Sequence, residues 1–270
     1  MAAKKTIGIF DSGYGGLSVL SEAVRVLTDV DFLYYADTDH VPYGLRGNDE
    51  ILSFTEDAVR FLTAKGADAV ILACNTASAV AAAPLRLKYE VPIIAMEPAV
   101  RPALKEGNSA RILVMATPVT LREEKLKNLI AREHGEARID LLPMPGLVTL
   151  AEREIFDGPE PEAYLREKLS GYDLARYSAI VLGCTHFNYF KPLLRTFLDT
   201  RAHASVHLIE GSRGTVRRAA SLLDLEPDPA AAGAASCVRY FVSGRPVEDS
   251  EEALHIDRLM SQMRCSMAVH

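Results

Sequence analysis

Two short stretches of the chain repeat one pattern: an apolar run, a small residue, a cysteine and two polar residues. Residues 71–76 place this pattern around Cys74, and residues 181–186 place it around Cys184. The pattern predicts a strand that leads into a helix, and in a parallel sheet such a corner lies where ligands bind. Two thiols that face one small ligand can act on both faces of a single carbon, which is what inverting a stereocentre requires.

Composition limits the classes of protein to which the chain can belong. Its 270 residues, 49% of them hydrophobic, are enough for one large or two modest domains. The formal charge of -6 argues against nucleic-acid and membrane-surface binding, which need clustered positive charge. The apolar runs are too short to span a membrane, and residues 1–5 are too brief for a signal peptide, so we expect a cytoplasmic protein. The four cysteines lack close pairs, so we expect neither disulfides nor a metal site.

Strand-type and helical segments alternate along the chain, which is typical of parallel sheets with helices on both faces. The order strand, helix, strand, helix, cysteine strand occurs twice, once before Cys74 and once before Cys184. We therefore predict an α/β fold with two pseudo-symmetric, doubly wound parallel-sheet domains. Residues 1–97 with 211–270 are predicted to form the first domain, and residues 98–210 the second.

Several local features are also predicted. We expect a helix over residues 48–65 that Asn48 caps, one helix over residues 119–133, and a helix over residues 147–157 that carries Glu152 and Glu154. The proline- and alanine-rich residues 224–236 indicate a linker, and the tail around Cys265 is expected to be frayed. Cys237 and Cys265 lack the polar context of the other two cysteines, and we assign them no role.

The loops after the predicted strands contain further candidates. The glycine-rich residues 11–16 permit a tight turn and a close approach to a ligand, although a plain strand-to-helix turn explains them equally well. Pro42 and Gly44 fix a turn in which the N–H groups of Tyr43 and Gly44 can face an anion. Asn75, Thr76 and Thr185 open helices, where hydroxyl and N–H groups can hold a carboxylate.

Taken together, these motifs resemble the bacterial glutamate racemases of the aspartate/glutamate racemase superfamily. The matching segments occur in family order over most of the chain, at residues 10–17, 42–44, 73–76, 97–98, 147–152 and 183–186. Two segments depart from the usual family pattern. Residues 187–189 read Phe-Asn-Tyr where many members have an aromatic residue followed by proline, and residues 210–212 read Glu-Gly-Ser where many have aspartate and serine.

The resemblance implies a cofactor-independent racemase that interconverts L- and D-glutamate in a cleft between two domains, with no metal and no pyridoxal phosphate. It implies that Cys74 and Cys184 are the two acid–base groups, with Asp11 beside the first and His186 and Glu152 beside the second. It places Ser12 near the substrate amino group, and Pro42, Tyr43 and Gly44 near the side-chain carboxylate. It also implies a homodimer and a supply of D-glutamate for peptidoglycan.

Two alternatives remain open from the sequence. The first is a related racemase that acts on aspartate or another amino acid. The feature that discriminates it is His186, because aspartate racemases carry glutamate after the matching Cys-Thr. The second is a binding or regulatory protein that has kept the cleft without turnover, and the presence of both cysteines weighs against it.

Overall fold

The structure is a computed structural model that describes residues 4–106, 110–200, 206–228, 236–248 and 250–269. Its strands are β1 (Lys5–Asp11), β2 (Val30–Ala36), β3 (Ala69–Leu72), β4 (Ile93–Ala95), β5 (Arg111–Ala116), β6 (Ile139–Pro143), β7 (Tyr177–Gly183), β8 (His207–Ile209), β9 (Val238–Val242) and β10 (Arg245–Pro246). Its α-helices are α1 (Leu17–Val26), α2 (Asn48–Ala64), α3 (Asn75–Lys88), α4 (Val100–Glu106), α5 (Pro118–Arg122), α6 (Glu124–Arg132), α7 (Pro145–Glu152), α8 (Pro159–Leu169), α9 (Lys191–Asp199), α10 (Ser212–Leu222) and α11 (Ser250–Met267).

The strands form two sheets. One has the order β10-β9-β2-β1-β3-β4 and the other the order β6-β5-β7-β8. The order β2-β1-β3-β4 of the first sheet is therefore repeated, strand for strand, in the second. Among the described residues, the strand pairs are all parallel except β9 with β10. The predicted duplicated α/β fold is confirmed, with the small antiparallel strand β10 as an addition.

Strand register explains why the two cysteine corners gather polar residues. The central strands are almost wholly buried because helices cover both faces of each sheet, and their sequences are accordingly continuous apolar runs. In the first sheet Phe10 of β1 lies opposite Leu72 of β3, so Asp11 and Cys74 follow at the same edge. In the second sheet Ala116 of β5 lies opposite Gly183 of β7. Thr117 therefore follows at the same edge as Cys184.

Two of the predicted helices end differently from the prediction. The segment predicted as one helix over residues 119–133 is two helices, α5 and α6, separated by Glu123 in an extended conformation. The helix predicted over residues 147–157 ends at Glu152, and Glu154 has a positive φ of 56° beyond it. This early end separates the two glutamates, because Glu152 lies on the last turn of α7 and Glu154 lies in the following loop.

Two further local predictions are tested by the structure. Asn48 does not cap α2: Gly47 occupies the N-cap position, and the Asn48 amide donates to Glu123 Oε1 at 3.0 Å. The tail around Cys265 is helical rather than frayed, because α11 continues to Met267 and buries Met263 and Ser266. Residues 229–235 of the predicted linker lie outside the described residues. Within the described part of the chain, no helix has the length and apolar character needed to cross a membrane.

Candidate active site

The first cysteine corner joins the ends of β1 and β3. Cys74 is the N-cap of α3, and its Sγ accepts hydrogen bonds from the Ser12 hydroxyl at 3.4 Å and the Ala77 N–H at 3.5 Å. The side chain is buried, with 5% of the residue exposed. Ser12 reaches Cys74 because β1 and β3 are neighbours in the sheet. The sequence prediction that Ser12 and Cys74 belong to one site is consistent with this contact.

The surroundings of Cys74 favour its neutral form. Burial, the largest effect, and the negative charge of Asp11 raise the pKa of the Cys74 thiol to about 12, although the hydrogen bonds from Ala77 and Ser12 act in the opposite direction. A negative charge on Cys184 also raises this pKa, so the two sulfur atoms lie close enough to influence each other electrostatically. At neutral pH Cys74 is therefore a protonated thiol.

At the second cysteine corner, three side chains contact one another in a row: Cys184, His186 and Glu152. Cys184 follows β7 directly, and its Sγ lies 3.8 Å from Nδ1 of His186 in the 3-10 helix Thr185–Phe190. The other ring nitrogen, Nε2, lies 2.5 Å from Oε1 of Glu152 at the end of α7. His186 is 2% exposed, whereas 22% of the Glu152 side chain is exposed. The imidazole thus connects a buried thiol to a carboxylate that reaches solvent.

The charge of His186 is set by opposing effects. Burial, the largest effect, lowers the pKa of the imidazole, but hydrogen bonds with Cys184 and Glu152 and the negative charges of both groups together raise it well above its ordinary value. The imidazolium form is therefore favoured. Cys184 therefore has a proton donor as its neighbour, whereas Cys74 is subject to the negative charge of Asp11.

The two corners are bound to each other through Asp11. Its Oδ1 accepts the Gly13 N–H at 3.0 Å, and its Oδ2 accepts the hydroxyl of Thr185, from the other sheet, at 2.9 Å. Burial, the largest effect, keeps the pKa of Asp11 above its ordinary value, although the charge of His186 and these hydrogen bonds lower it. Asp11 therefore links the environment of Cys74 to the residue that follows Cys184.

The glycine-rich loop allows the two corners to approach each other. A Cβ atom on Gly15 would lie 2.6 Å from the backbone nitrogen of His186, and one on Gly13 would lie 2.6 Å from Oε1 of Glu152. A side chain at Gly15 would therefore displace the backbone of His186, and one at Gly13 would displace the Glu152 carboxylate from its position beside His186. The close approach predicted for these glycines is thus observed, but to His186 and Glu152 of the other half of the chain.

The predicted carboxylate donors at the helix openings lie near the cysteines. Asn75 and Thr76 are the first residues of α3, and Thr185 is the first residue of the 3-10 helix. The Asn75 amide nitrogen lies 3.2 Å from Met96 Sδ, and its buried Oδ1 has no hydrogen-bond partner among the described residues. The Thr76 hydroxyl lies 2.9 Å from that of Thr117. These groups form a polar edge that joins the two sheets.

The predicted turn at residues 42–44 closes over this edge. Tyr43–Leu45 form one turn of 3-10 helix, whose first N–H groups have no partner within the turn. The Tyr43 hydroxyl donates to Asp37 Oδ2 at 2.6 Å, so the ring anchors the turn. A Cβ atom on Gly44 would lie 2.9 Å from Cβ of Thr117. Gly44 therefore permits contact between this turn and the second sheet.

Three neighbours of the site were not identified from the sequence: Asp37, Thr117 and Thr120. Asp37 follows β2 and accepts the Tyr43 hydroxyl, and Thr117 follows β5 and caps α5. The Thr117 hydroxyl lies 3.0 Å from that of Thr120. The signal that could have found Asp37 and Thr117 is their position, since each is a polar residue directly after a buried strand. Among the described residues, no cluster of three or more His, Cys, Asp or Glu side chains is arranged to hold a metal.

This arrangement can be compared with known proteins. The family model described as Asp/Glu/hydantoin racemase matches residues 12–219, a span that includes both cysteine corners. The chain belongs to this racemase family. The resemblance predicted from the motifs is thereby confirmed, and the family match covers every strand from β2 to β8.

Individual members of the racemase family agree over nearly the full chain. The glutamate racemase of Campylobacter curvus strain 525.92 is 48% identical over 263 residues, which are 95% of this chain and 97% of that protein. The crystal structure of glutamate racemase isoform RacE1 from Bacillus anthracis has a TM-score of 0.79 at 26% identity, covering 96% of this chain and 95% of its own. The Escherichia coli glutamate racemase, solved with L-glutamate and the activator UDP-MurNAc-Ala, has a TM-score of 0.75 at 28% identity and 95% coverage of both chains.

Proposed function

We propose that this protein interconverts L- and D-glutamate with Cys74 and Cys184 as the two acid–base groups. The observation that carries the proposal is the placement of two buried thiols at strand ends of two different sheets, joined by the Thr185–Asp11 hydrogen bond. A pair of thiols on opposite sides of Cα can remove a proton from one face and deliver one to the other. The choice of glutamate is supported by the curated relatives, which are glutamate racemases.

The proton balance of the proposed reaction is simple. In one direction a Cys184 thiolate removes the Cα proton and the Cys74 thiol donates its own proton to the opposite face. In the other direction the roles exchange. The raised pKa of Cys74 makes its thiol the resting proton donor, and the His186 imidazolium is placed to exchange a proton with Cys184. Each turnover thus leaves the two sulfur atoms with exchanged protonation states, and exchange with solvent restores them.

Asp11, His186 and Glu152 are proposed to control these protonation states. Asp11 places a negative charge near Cys74 and holds Thr185, so it couples the thiol to the opposite corner. Glu152 fixes the orientation of the His186 ring through Nε2, and this leaves Nδ1 directed at Cys184. We propose that Glu152 acts through His186, whereas His186 contacts the reacting sulfur.

The remaining site residues are proposed to bind the substrate. The developing negative charge of the carbanion is spread onto the α-carboxylate, which the helix openings at Asn75, Thr76 and Thr185 can stabilise with hydroxyl, amide and N–H donors. Ser12 is placed near the amino group. The turn that begins after Pro42 is proposed to receive the side-chain carboxylate on the N–H groups of Tyr43 and Gly44.

The biological setting is proposed on the same basis. We propose that the protein works in the cytoplasm as a homodimer and supplies D-glutamate for peptidoglycan, since the relatives that it matches are bacterial glutamate racemases. We also propose that the two sheets mark two domains, residues 1–97 with 211–270 and residues 98–210. The strands of each sheet fall within these ranges.

The direct test follows the circular dichroism of L-glutamate, D-glutamate and aspartate incubated with the protein and no added cofactor. We expect either glutamate enantiomer to lose its optical signal, with and without a metal chelator. Cys74→Ser and Cys184→Ser should each lack this activity, while Cys237→Ser, which changes an exposed thiol, should retain it. A signal that is stable with the wild-type protein, or activity that disappears on chelation and returns with metal, contradicts the proposal.

A further inference from the structure

We infer that Lys125 is a positioning residue for the proposed carboxylate donors Asn75 and Thr76. It connects α6, which packs on the second sheet, to the opening turn of α3, which packs on the first; each sheet with its helices is called a unit below. The Lys125 ammonium lies 3.3 Å from the carbonyl oxygen of Ser78, 3.3 Å from that of Met96 and 3.7 Å from Oε1 of Glu97. All three partners belong to the segment that precedes α4. The inference rests on the proposed function, since it concerns the placement of the proposed carboxylate donors.

Lys125 makes a partly buried contact between the two units rather than a surface ion pair. Its side chain is 24% exposed, and burial lowers the pKa of the ammonium, an effect that Glu97 opposes. An ammonium group has three donors, and here two of them reach backbone carbonyls of another structural unit. Lys127, two residues along the same helix, pairs instead with its neighbour Glu124 and is more than half exposed.

The two residues whose carbonyl oxygens contact Lys125 also fix the start of α3 through other groups. The Ser78 hydroxyl donates to the Leu72 carbonyl at the end of β3 and accepts the Met96 N–H after β4. Met96 also receives the Asn75 amide through its sulfur. Ser78 and Met96 therefore tie the first turn of α3, whose N-cap is Cys74, to the ends of two strands. Through its contacts with Ser78 and Met96, Lys125 connects α6 of the second unit to these residues.

The same contact lies where the chain passes between the two sheets. Residues 96–99 leave the first sheet for the second, and residues 210–212 return from it. The two passages touch, since a Cβ atom on Gly211 would lie 2.9 Å from the Glu97 carbonyl oxygen. Asn75, Met96, Glu97 and Lys125 line one cavity beside this contact. Lys125 thus binds the first unit beside the two passages of the chain, and the proposed carboxylate donor Asn75 lines the same cavity.

The experiment compares Lys125→Met with the matched variant Lys127→Met, which removes an exposed ammonium from the same helix. We expect Lys125→Met to raise KM for glutamate about fivefold or more with a smaller effect on kcat, because ground-state and transition-state binding of the carboxylate are weakened together. Lys127→Met should leave both parameters within about twofold. Lys125→Arg, which keeps a cationic donor, should recover part of the lost affinity.

A second readout does not depend on activity. Amide hydrogen exchange of residues 75–80 should be faster in Lys125→Met than in the wild type, while residues of α2 should be unchanged. If Lys125→Met fails to fold, Lys125→Gln provides a shorter neutral replacement for the same two measurements. Unchanged KM and unchanged exchange at residues 75–80 would overturn the inference, as would an equal loss in Lys127→Met. A wild-type protein that does not racemise glutamate contradicts the proposed function, and the exchange experiment still tests Lys125.

Discussion

The hydroxyl of Thr185 donates to Oδ2 of Asp11 at 2.9 Å, and this hydrogen bond joins the carboxyl ends of β1 and β7 in two different sheets. Both residues are buried, so the bond is protected from competition with water. The bond fixes the loop after Cys184 relative to Asp11, and the charge of Asp11 raises the pKa of Cys74. The two halves of the proposed acid–base pair are therefore oriented by one carboxylate.

Asp11→Asn is expected to lower kcat for glutamate by about 10²-fold, the lower range for loss of acid–base assistance. An amide has one accepting oxygen where the carboxylate has two, so either the Gly13 N–H or the Thr185 hydroxyl loses its partner. Steady-state racemisation in both directions measures the effect. Asp68→Asn is the control, because Asp68 accepts the Thr6 N–H at the far end of β1. Wild-type kcat in Asp11→Asn contradicts the assigned role.

Cys74 should make the protein less stable at alkaline pH. Its folded-state pKa is raised to about 12, so the unfolded chain releases this proton first, and the stability that it contributes below pH 9 is lost as pH rises toward 12. Between pH 8 and pH 10 the free energy of unfolding of the wild type should fall about 1.4 kcal/mol more than that of Cys74→Ser. Urea unfolding at the two pH values measures the difference. Parallel pH profiles for the two proteins would exclude a buried neutral Cys74.

Much of this site was predictable because it follows from strand order. Cys74, Cys184, Asn75, Thr76 and Thr185 directly follow apolar runs or open helices, and a parallel sheet places such residues at one edge. The duplication was also visible, since the same order of elements occurs twice in the chain. These features are local in sequence, and local patterns were sufficient to predict them.

The contacts between the halves were not predictable from local patterns. Gly13 and Gly15 could be interpreted as a ligand loop, but they pack against Glu152 and His186, which are more than 130 residues away along the chain. Thr117 has the same position after its strand as the assigned residues, yet its partner Thr76 lies on α3, which follows β3 of the other sheet. Such pairings depend on how the two sheets pack, and no spacing within one segment encodes that packing.

Glu152→Gln should lower the pKa of His186. The carboxylate raises this pKa through a 2.5 Å hydrogen bond and its charge, and a neutral amide removes the charge. We expect kcat to fall near neutral pH, because a smaller fraction of His186 is then the imidazolium that exchanges a proton with Cys184. Histidine NMR of ¹³C-labelled protein, assigned with His186→Asn, measures the titration. Glu154→Gln is the matched control, because Glu154 pairs with His255 instead. An unchanged His186 titration in Glu152→Gln contradicts this assignment.

Gly44→Ala should weaken substrate binding through a steric effect. The new methyl group would lie 2.9 Å from Cβ of Thr117, so the turn or α5 must move. We expect KM for glutamate to rise about tenfold, corresponding to about 1.4 kcal/mol, since the Tyr43 and Gly44 donors shift from the carboxylate. Gly47→Ala is the control, because its methyl group would meet Glu50 at an ordinary 3.6 Å. Equal KM values for the two variants would show that this turn does not bind the substrate.

The same turn should distinguish glutamate from aspartate in the wild type. Aspartate is one methylene shorter, so its side-chain carboxylate leaves buried donors unpaired at a penalty of about 1–3 kcal/mol per group. Steady-state racemisation of the two amino acids measures the difference, and comparable efficiency on aspartate would exclude the proposed placement of Tyr43 and Gly44.

Isotope incorporation should show that Cys74 and Cys184 stand on opposite faces of Cα. A single glutamate enantiomer in deuterium oxide should give product with deuterium at Cα while early substrate stays protiated. Cys74→Ala and Cys184→Ala should both lose racemisation and show opposite stereochemical preferences in residual exchange. Early product that retains the original hydrogen would require a single shared base and would contradict the two-cysteine mechanism.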